Sequence, residues 1–478
     1  MKTNLKRTFI SFIPLLVLVL LLALDISLFG SDSILGASQV SLLFSAGIAV
    51  WLGMWLYKIP WKSFEQAICG NIGNVGSAII ILLLIGAISG TWTMSGVVPA
   101  FIYYGIQIIS PKLFLLTACV LCALVSVMTG SSWTTIATVG VALLGIGRAE
   151  GFPDAMTAGA IISGAYFGDK ISPLSDTTVL AASVNRVGLF EHIHYMYFTT
   201  VPSFLITITL FTILGFMNGG SPEMPAEVYS GTLAAKFHIS PWLMIVPAIT
   251  VYLIWRKMPA ILVLSLSVVT AAIAALIFQP EIVRSIGEGV CEGSSARIFF
   301  AGVVESIYNS VTLETGVPEV NQLVATRGML GMLNTIYLIL CAMCFGAAMQ
   351  ASGMIADMSR ILQPLTRTRA GLVGSTVVTG TALNGVVCDQ YLSIILSSNI
   401  YRDSFEKGGY ENRLLSRSVE DSATVTSPLF PWSSCGMTQA TILSVPTLVY
   451  APFCFFCLLS PLMSFLVAAI GWKIYKKS

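Results

Sequence analysis

Residues 168–178 read Gly-Asp-Lys-Ile-Ser-Pro-Leu-Ser-Asp-Thr-Thr (GDKISPLSDTT). This places Asp169, Lys170 and Asp176 within eleven positions of a chain that is only 10% charged. The flanks are apolar, AMTAGAIISGAYF at 155–167 and VLAASV at 179–184. Pro173 has no N–H and pushes Ser172 away from helical angles, so a helix running from Pro153 to about Gly168 should break here. A helix broken inside apolar surroundings frees carbonyl oxygens and exposes helix ends. With Asp169, Ser172, Ser175, Asp176, Thr177 and Thr178 the break offers the oxygen-rich cage that hard cations take.

Composition sets the solvent. The chain has 478 residues, 55% of them hydrophobic, and a mean hydropathy of +0.84. No soluble core of this size hides so much apolar surface, so lipid is the natural surrounding. A net charge of +2 gives no footprint for nucleic acid. The CxxC pairs Cys119/Cys122, Cys341/Cys344 and Cys454/Cys457 all lie in apolar runs without polar supporting groups and read as packing residues. The basic head and apolar run at the N-terminus read as an uncleaved first membrane helix; a signal peptide cut near residues 36–38 is the alternative.

Full spans of about 20 apolar residues start near Phe9, Ile34, Val75, Tyr195, Pro241, Met258, Gly328 and Thr441, and two interrupted apolar regions cover 111–185 and 370–436. Basic residues set the orientation. Lys2, Lys6 and Arg7, then Lys58 and Lys62, Arg256 and Lys257, Arg360, Arg367 and Arg369, and finally Lys473, Lys476 and Lys477 all fall on the cytoplasmic side, with both termini inside. The segment 279–325, rich in Glu and poor in Arg, reads as external.

The two interrupted regions share an order of features. The first has SG at 95–96, VMTGSSW at 127–133 and GDKISPLSD at 168–176. The second has SG at 352–353, VVTGTALNG at 377–385 and EDSATVTSPL at 420–429. Thr129 to Asp169 is 40 residues and Thr379 to Asp421 is 42. This is an internal repeat, with unit one at 70–217, connecting spans at 218–325 and unit two at 326–470 of one membrane domain. Charge counting runs the span before unit one outward and the span before unit two inward, so the units are inverted, as in secondary transporters. The first TG turn is flanked by arms of 17 and 14 residues, 112–128 and 134–147, too short to cross separately. Each TG is therefore expected at the tip of a re-entrant hairpin, with Gly130 and Gly380 tightening the turn. The fold expected is an all-α polytopic membrane protein of about ten to twelve spans.

The second break supplies Glu420, Asp421, Ser422, Thr424, Thr426 and Ser427. Asp389 stands alone in LNGVVCDQYLSIIL, with no basic residue within ten positions. One carboxylate in an apolar arm costs about 2.5–3.5 kcal/mol on insertion scales and is by default functional. A proton and a metal cation can compete for it. The candidate ligands are Asp169, Ser172, Ser175, Asp176 and Thr177, with Thr129 and Ser131 at the first turn. Thr379, Asn384, Asp389, Asp421 and Thr424 are their counterparts in unit two. Asp169, Asp176 and Asp389 are the sodium ligands. The plainer alternative is ion pairing of Asp169 with Lys170 or Arg148, and of Glu420 or Asp421 with Arg417. Glu191, His192 and His194 begin a span and read as interfacial; Asp25 and Asp32 lie near the outer end of span one.

The stretches GAYFGDKISPLSDTT (164–178), LFEHIHYM (189–196) followed by TTVPS, NGVVCDQYLSIIL (384–396) and RSVEDSATVTSPLFPWSSCG (417–436) resemble the NhaC family of sodium/proton antiporters, within the ion transporter superfamily. The resemblance implies two inverted repeats, a homodimer with a scaffold and a moving transport part, and elevator-like alternating access in the cell membrane. Sodium and protons would be the coupling ions, with no further cofactor. It also leaves open sodium- or proton-coupled transport of a small amino acid or organic acid, for which Trp133 and Trp432 would shape a pocket. A membrane enzyme ranks far behind: there are three histidines, none at metal-ligand spacing, and no nucleophile motif. A channel is disfavoured by the inverted broken helices.

Overall fold

The computed structural model describes residues 2–29, 36–218, 226–256, 258–359, 366 and 368–475. Lys257, Arg360, Arg367, Lys476 and Lys477 of the orientation argument, and Asp32, lie outside them. The regular structure described is helical throughout, with no strand element.

Among the described residues seven helices are long and apolar enough to cross a membrane: Arg7–Phe29, Ala37–Tyr57, Gly76–Met94, Pro111–Thr129, Leu189–Met217, Ala260–Phe278 and Leu330–Ala351. Two bent pairs, Val228–Lys236 with Pro241–Trp255 (88°) and Thr447–Phe453 with Phe455–Ile470 (56°), raise the number to nine. Every full span expected from sequence falls on one of these. Helices near the breaks fall outside this count because they are too charged. Asp154–Ile171 carries Asp154, Asp169 and Lys170, and Gln390–Lys407 carries Arg402, Asp403, Glu406 and Lys407. The arm before the first TG also differs from expectation. With its starting turn it runs Pro111–Thr129, 19 residues, long enough to cross.

The outer helices show large apolar side chains such as Leu20, Ile108, Phe216 and Phe300 to the surroundings. In a water-soluble protein such a surface would aggregate; here it matches lipid. Charge is turned inward instead. Asp169, Lys170, Asp389, Arg417, Glu420 and Asp421 are all buried.

The two halves run the same order of elements. Gly76–Met94 and Leu333–Ala351 each end at a Ser-Gly pair, whose glycines take the left-handed conformation (Gly96 φ 84°, Gly353 φ 72°) that closes a helix. A short helix follows, then a helix–turn–helix, then a broken helix. In the first half these are Phe114–Thr129 with Ser132–Ala149, and Asp154–Ile171 with Asp176–Val184. In the second they are Arg369–Val386 with Gln390–Lys407, and Asn412–Thr424 with Ser434–Leu443.

Gly130 makes the first turn, as the sequence implies. Its φ is +64°, and a Cβ there would stand 2.5 Å from the carbonyl carbon of Leu174. The second TG is not a turn. Thr379 and Gly380 lie inside the unbroken helix Arg369–Val386, and the chain reverses at Val387–Asp389, where Cys388 takes φ +64°. Gly380 serves packing: a Cβ would stand 2.4 Å from Ser422 Oγ, so it lets this helix lie against the second broken helix.

Candidate functional site

The first broken helix stops at Ile171, where Ser172 is extended ahead of Pro173. The Ser172 hydroxyl donates to Val127 O (2.7 Å), tying the break to the first helix–turn–helix. Ser175 restarts the helix as its N-cap, accepting from Thr178 N (3.4 Å), and its hydroxyl pairs with that of Thr177 (2.9 Å). Asp169 is buried, yet no cation among the described residues pairs with it. Its Oδ2 accepts from the Ser132 N–H (3.1 Å) and hydroxyl (2.7 Å), and its Oδ1 has no partner. The basic residues suggested for it are engaged elsewhere: Arg148 with Asp154 (2.8 Å) and Lys170 with Asp421.

At the first turn the Ser131 side chain caps the next helix, accepting from Thr134 N (3.2 Å), and Thr129 Oγ1 accepts from Ser131 N (3.1 Å). At the second turn Asp389 has the same job. Its Oδ1 accepts from Leu392 N (2.9 Å), while Oδ2 stands 3.5 Å from Ser434 Oγ. Asp389 is thus at the turn, not within an arm. Ser434 N donates to Cys388 O (2.8 Å) and the Trp432 indole to Gly385 O (2.7 Å), holding the turn against the second break.

Both turns and the first break open into one cavity of about 700 Å³. Asp169, Asp176, Asp389, Thr129 and Ser131 line it, with Ser132, Trp133, Gln390 and Tyr391. Asp176 projects into it, and the Tyr391 hydroxyl donates to its Oδ2 (2.7 Å), joining the first break to the second helix–turn–helix. The remaining walls come from Asn74–Ile81 and Ile254–Val263. Ser132, Gln390 and Tyr391 were not singled out from sequence; the signal available was their position beside a cap residue.

The other candidates lie behind this wall. Thr379 pairs with the Tyr401 hydroxyl (2.7 Å), and Asn384 donates to Ala423 O (2.7 Å) and Thr426 Oγ1 (3.0 Å). Ser172, Ser175 and Thr177 are packed into the first break. Asp421 and Thr424 sit in a π-helical turn, Glu420–Thr424, that is wholly buried. Asp421 pairs with Lys170, accepts from Thr199 Oγ1 (2.9 Å) and stands 3.8 Å from Arg417 Nε, so the pairing with Arg417 read from sequence is joined by a cation from the other half. The two broken helices therefore meet through a buried ion pair, and only the first faces the cavity. His192 is also internal, bonded to Ser416; His194 is exposed and bonded to Phe190 O (2.7 Å).

Apolar helices long enough to cross a bilayer, packed around a carboxylate-lined cavity, make this a multi-pass membrane protein. The chain belongs to the Na+/H+ antiporter family, whose sequence profile matches residues 4–183 and 164–472. It is 34% identical to the Na+/H+ antiporter NhaC of Bacillus subtilis (strain 168), over 90% of this chain and 91% of that one. It is 35% identical to the malate-2H+/Na+-lactate antiporter of the same organism (87% and 85%), and 32% identical to the arginine/ornithine antiporter ArcD of Halobacterium salinarum (97% and 92%).

Proposed function

We propose that this chain exchanges sodium for protons across the cell membrane by alternating access, at the cavity where Asp169, Asp176 and Asp389 converge. The observation that carries the reading is that convergence. Three carboxylates from two separate helical elements, none ion-paired in the described residues, share one hollow with hydroxyl-rich turns. Sodium and a proton are alternative occupants of such a site, and mutual exclusion is all that exchange needs.

The cavity is lined by Asn74 and by Met258 and Pro259, which follow Arg256 closely in the chain. By the basic-residue rule we read the side of Arg256 as cytoplasmic, with both termini on the same side, and infer a cavity that opens inward. Counting the interrupted segments as crossings gives ten to twelve spans, with 70–217 and 326–470 as inverted repeats joined by 218–325. The buried Lys170–Asp421 pair ties the broken helices into one body, which would move as an elevator against the remaining helices, in a homodimer as the family resemblance implies. In liposomes holding only this protein, external sodium should collapse an imposed pH gradient. No collapse with sodium alone would defeat the reading.

A second reading has its own support. A volume of about 700 Å³ is far more than an ion needs, and Trp133, Gln390 and Tyr391 give its wall aromatic and amide character. Coupled transport of a small organic acid or amino acid at this place would then require such a solute before sodium or protons move.

A further inference from the structure

Behind the cavity wall, Glu420 presents an unusual group. Its side chain is wholly buried, and neither carboxylate oxygen has a hydrogen-bond partner among the described residues. An unpaired carboxylate in a dry interior is among the costliest groups a protein can hold. It sits at the start of the π-helical turn Glu420–Thr424, a form that recurs at functional positions. Helix Asp176–Val184, which carries Thr177, packs against this turn, and Thr424 closes it. Thr177 pairs with Ser175 (2.9 Å), and Asp169, before the same break, has an Oδ1 that is likewise buried and without a hydrogen-bond partner among the described residues. The hydroxyls of Ser175, Thr177 and Thr178, the last donating to Lys170 O (3.0 Å), thus belong to the seam where the first broken helix packs against the turn that carries Glu420.

Charge points the same way. Lys170 and Arg417 are buried together with Asp169, Glu420 and Asp421, two bases against three acids, so with all three acids ionised one negative charge is uncompensated. Asp421 already has both cations as neighbours. His192, bonded to Ser416, and Tyr195, under the Arg417 guanidinium, are the titratable groups facing this cluster from helix Leu189–Met217. One monovalent cation would neutralise the set; a divalent cation would overshoot it.

We propose that Asp169 and Glu420, bridged by the hydroxyls of Ser175 and Thr177, form a sealed inner position for one dehydrated monovalent cation, one step beyond the open cavity. The inference rests on the proposed function for its choice of sodium and deepens it: the cation enters at Asp176 and Asp389 and is occluded between the two broken helices.

Equilibrium binding of radioactive sodium to the purified full-length protein at fixed pH tests this, with choline balancing ionic strength. Glu420→Gln and Thr177→Val should each weaken sodium binding about tenfold, the loss of one good ligand, and magnesium should not compete. If Glu420→Gln does not fold, Thr177→Val, which removes a hydroxyl and no charge, decides. Affinity within about twofold of wild type in the folded variants overturns the inner position. Exchange activity is read separately. A wild type that exchanges sodium while both variants bind normally counts against this inference alone, and one that binds sodium through Glu420 without exchange counts against the proposed function alone.

Discussion

Lys170 and Asp421, 251 residues apart in the chain, form an ion pair with no exposure of either side chain. One residue belongs to each broken helix. Ser460 and Thr199 complete the shell, accepting from Lys170 Nζ (2.8 Å) and donating to Asp421 Oδ1 (2.9 Å). Removing one partner strands a buried charge, at a cost of about 3–5 kcal/mol, whereas replacing both by apolar groups can be near neutral. Lys170→Met and Asp421→Leu should each lower the thermal midpoint in detergent sharply, and the double variant should recover only part of the loss, because Arg417, 3.8 Å from Asp421, then lacks its carboxylate.

Asp389 carries two duties that substitution can separate. Asparagine caps a helix as well as aspartate, while alanine loses about 1 kcal/mol. Asp389→Asn should therefore keep the wild-type thermal midpoint, and Asp389→Ala should lower it; unfolding scans of both decide.

Gly130 holds the first turn against Leu174. Alanine there brings a left-handed backbone penalty of about 1–2 kcal/mol and a Cβ contact at 2.5 Å with main chain that cannot swing away. Gly130→Ala should express at reduced level and unfold earlier than wild type. An unchanged midpoint would show that the turn is free to open.

Trp133 distinguishes the two transport readings. Its ring lines the cavity but supplies no oxygen to a cation. Trp133→Ala should leave sodium/proton exchange near wild type under the ion-exchange reading. Under the solute reading it should abolish thermal stabilisation by the organic substrate, found by screening amino and hydroxy acids.

Much of this was legible in the sequence because local chemistry carried it. Pro173 and Asp169 mark a break wherever they are placed, and the Ser-Gly pairs end helices by their own backbone preferences. What failed was the second turn. Thr379–Gly380 copies Thr129–Gly130 in letters, but a glycine serves a tight turn and a close helix crossing equally well, and only the Ser422 neighbour tells which. The true turn used Cys388 in a conformation non-glycine residues seldom take, with Asp389 as its cap. The Lys170–Asp421 contact was illegible for another reason. Sequence offered Lys170 the adjacent Asp169 and offered Asp421 the nearby Arg417, and nothing local points across 251 positions. That contact is also why the second break faces inward and leaves the cavity to the first.

The most direct test of the exchange site is sodium-driven proton movement in liposomes by Asp169→Asn and Asp389→Asn, each normalised to the folded protein incorporated. Both substitutions retain side-chain shape while removing the charge for which sodium and protons compete. The account predicts loss of nearly all exchange in each. Wild-type rates in both would contradict it, because the cavity would then carry ions without the carboxylates that define it.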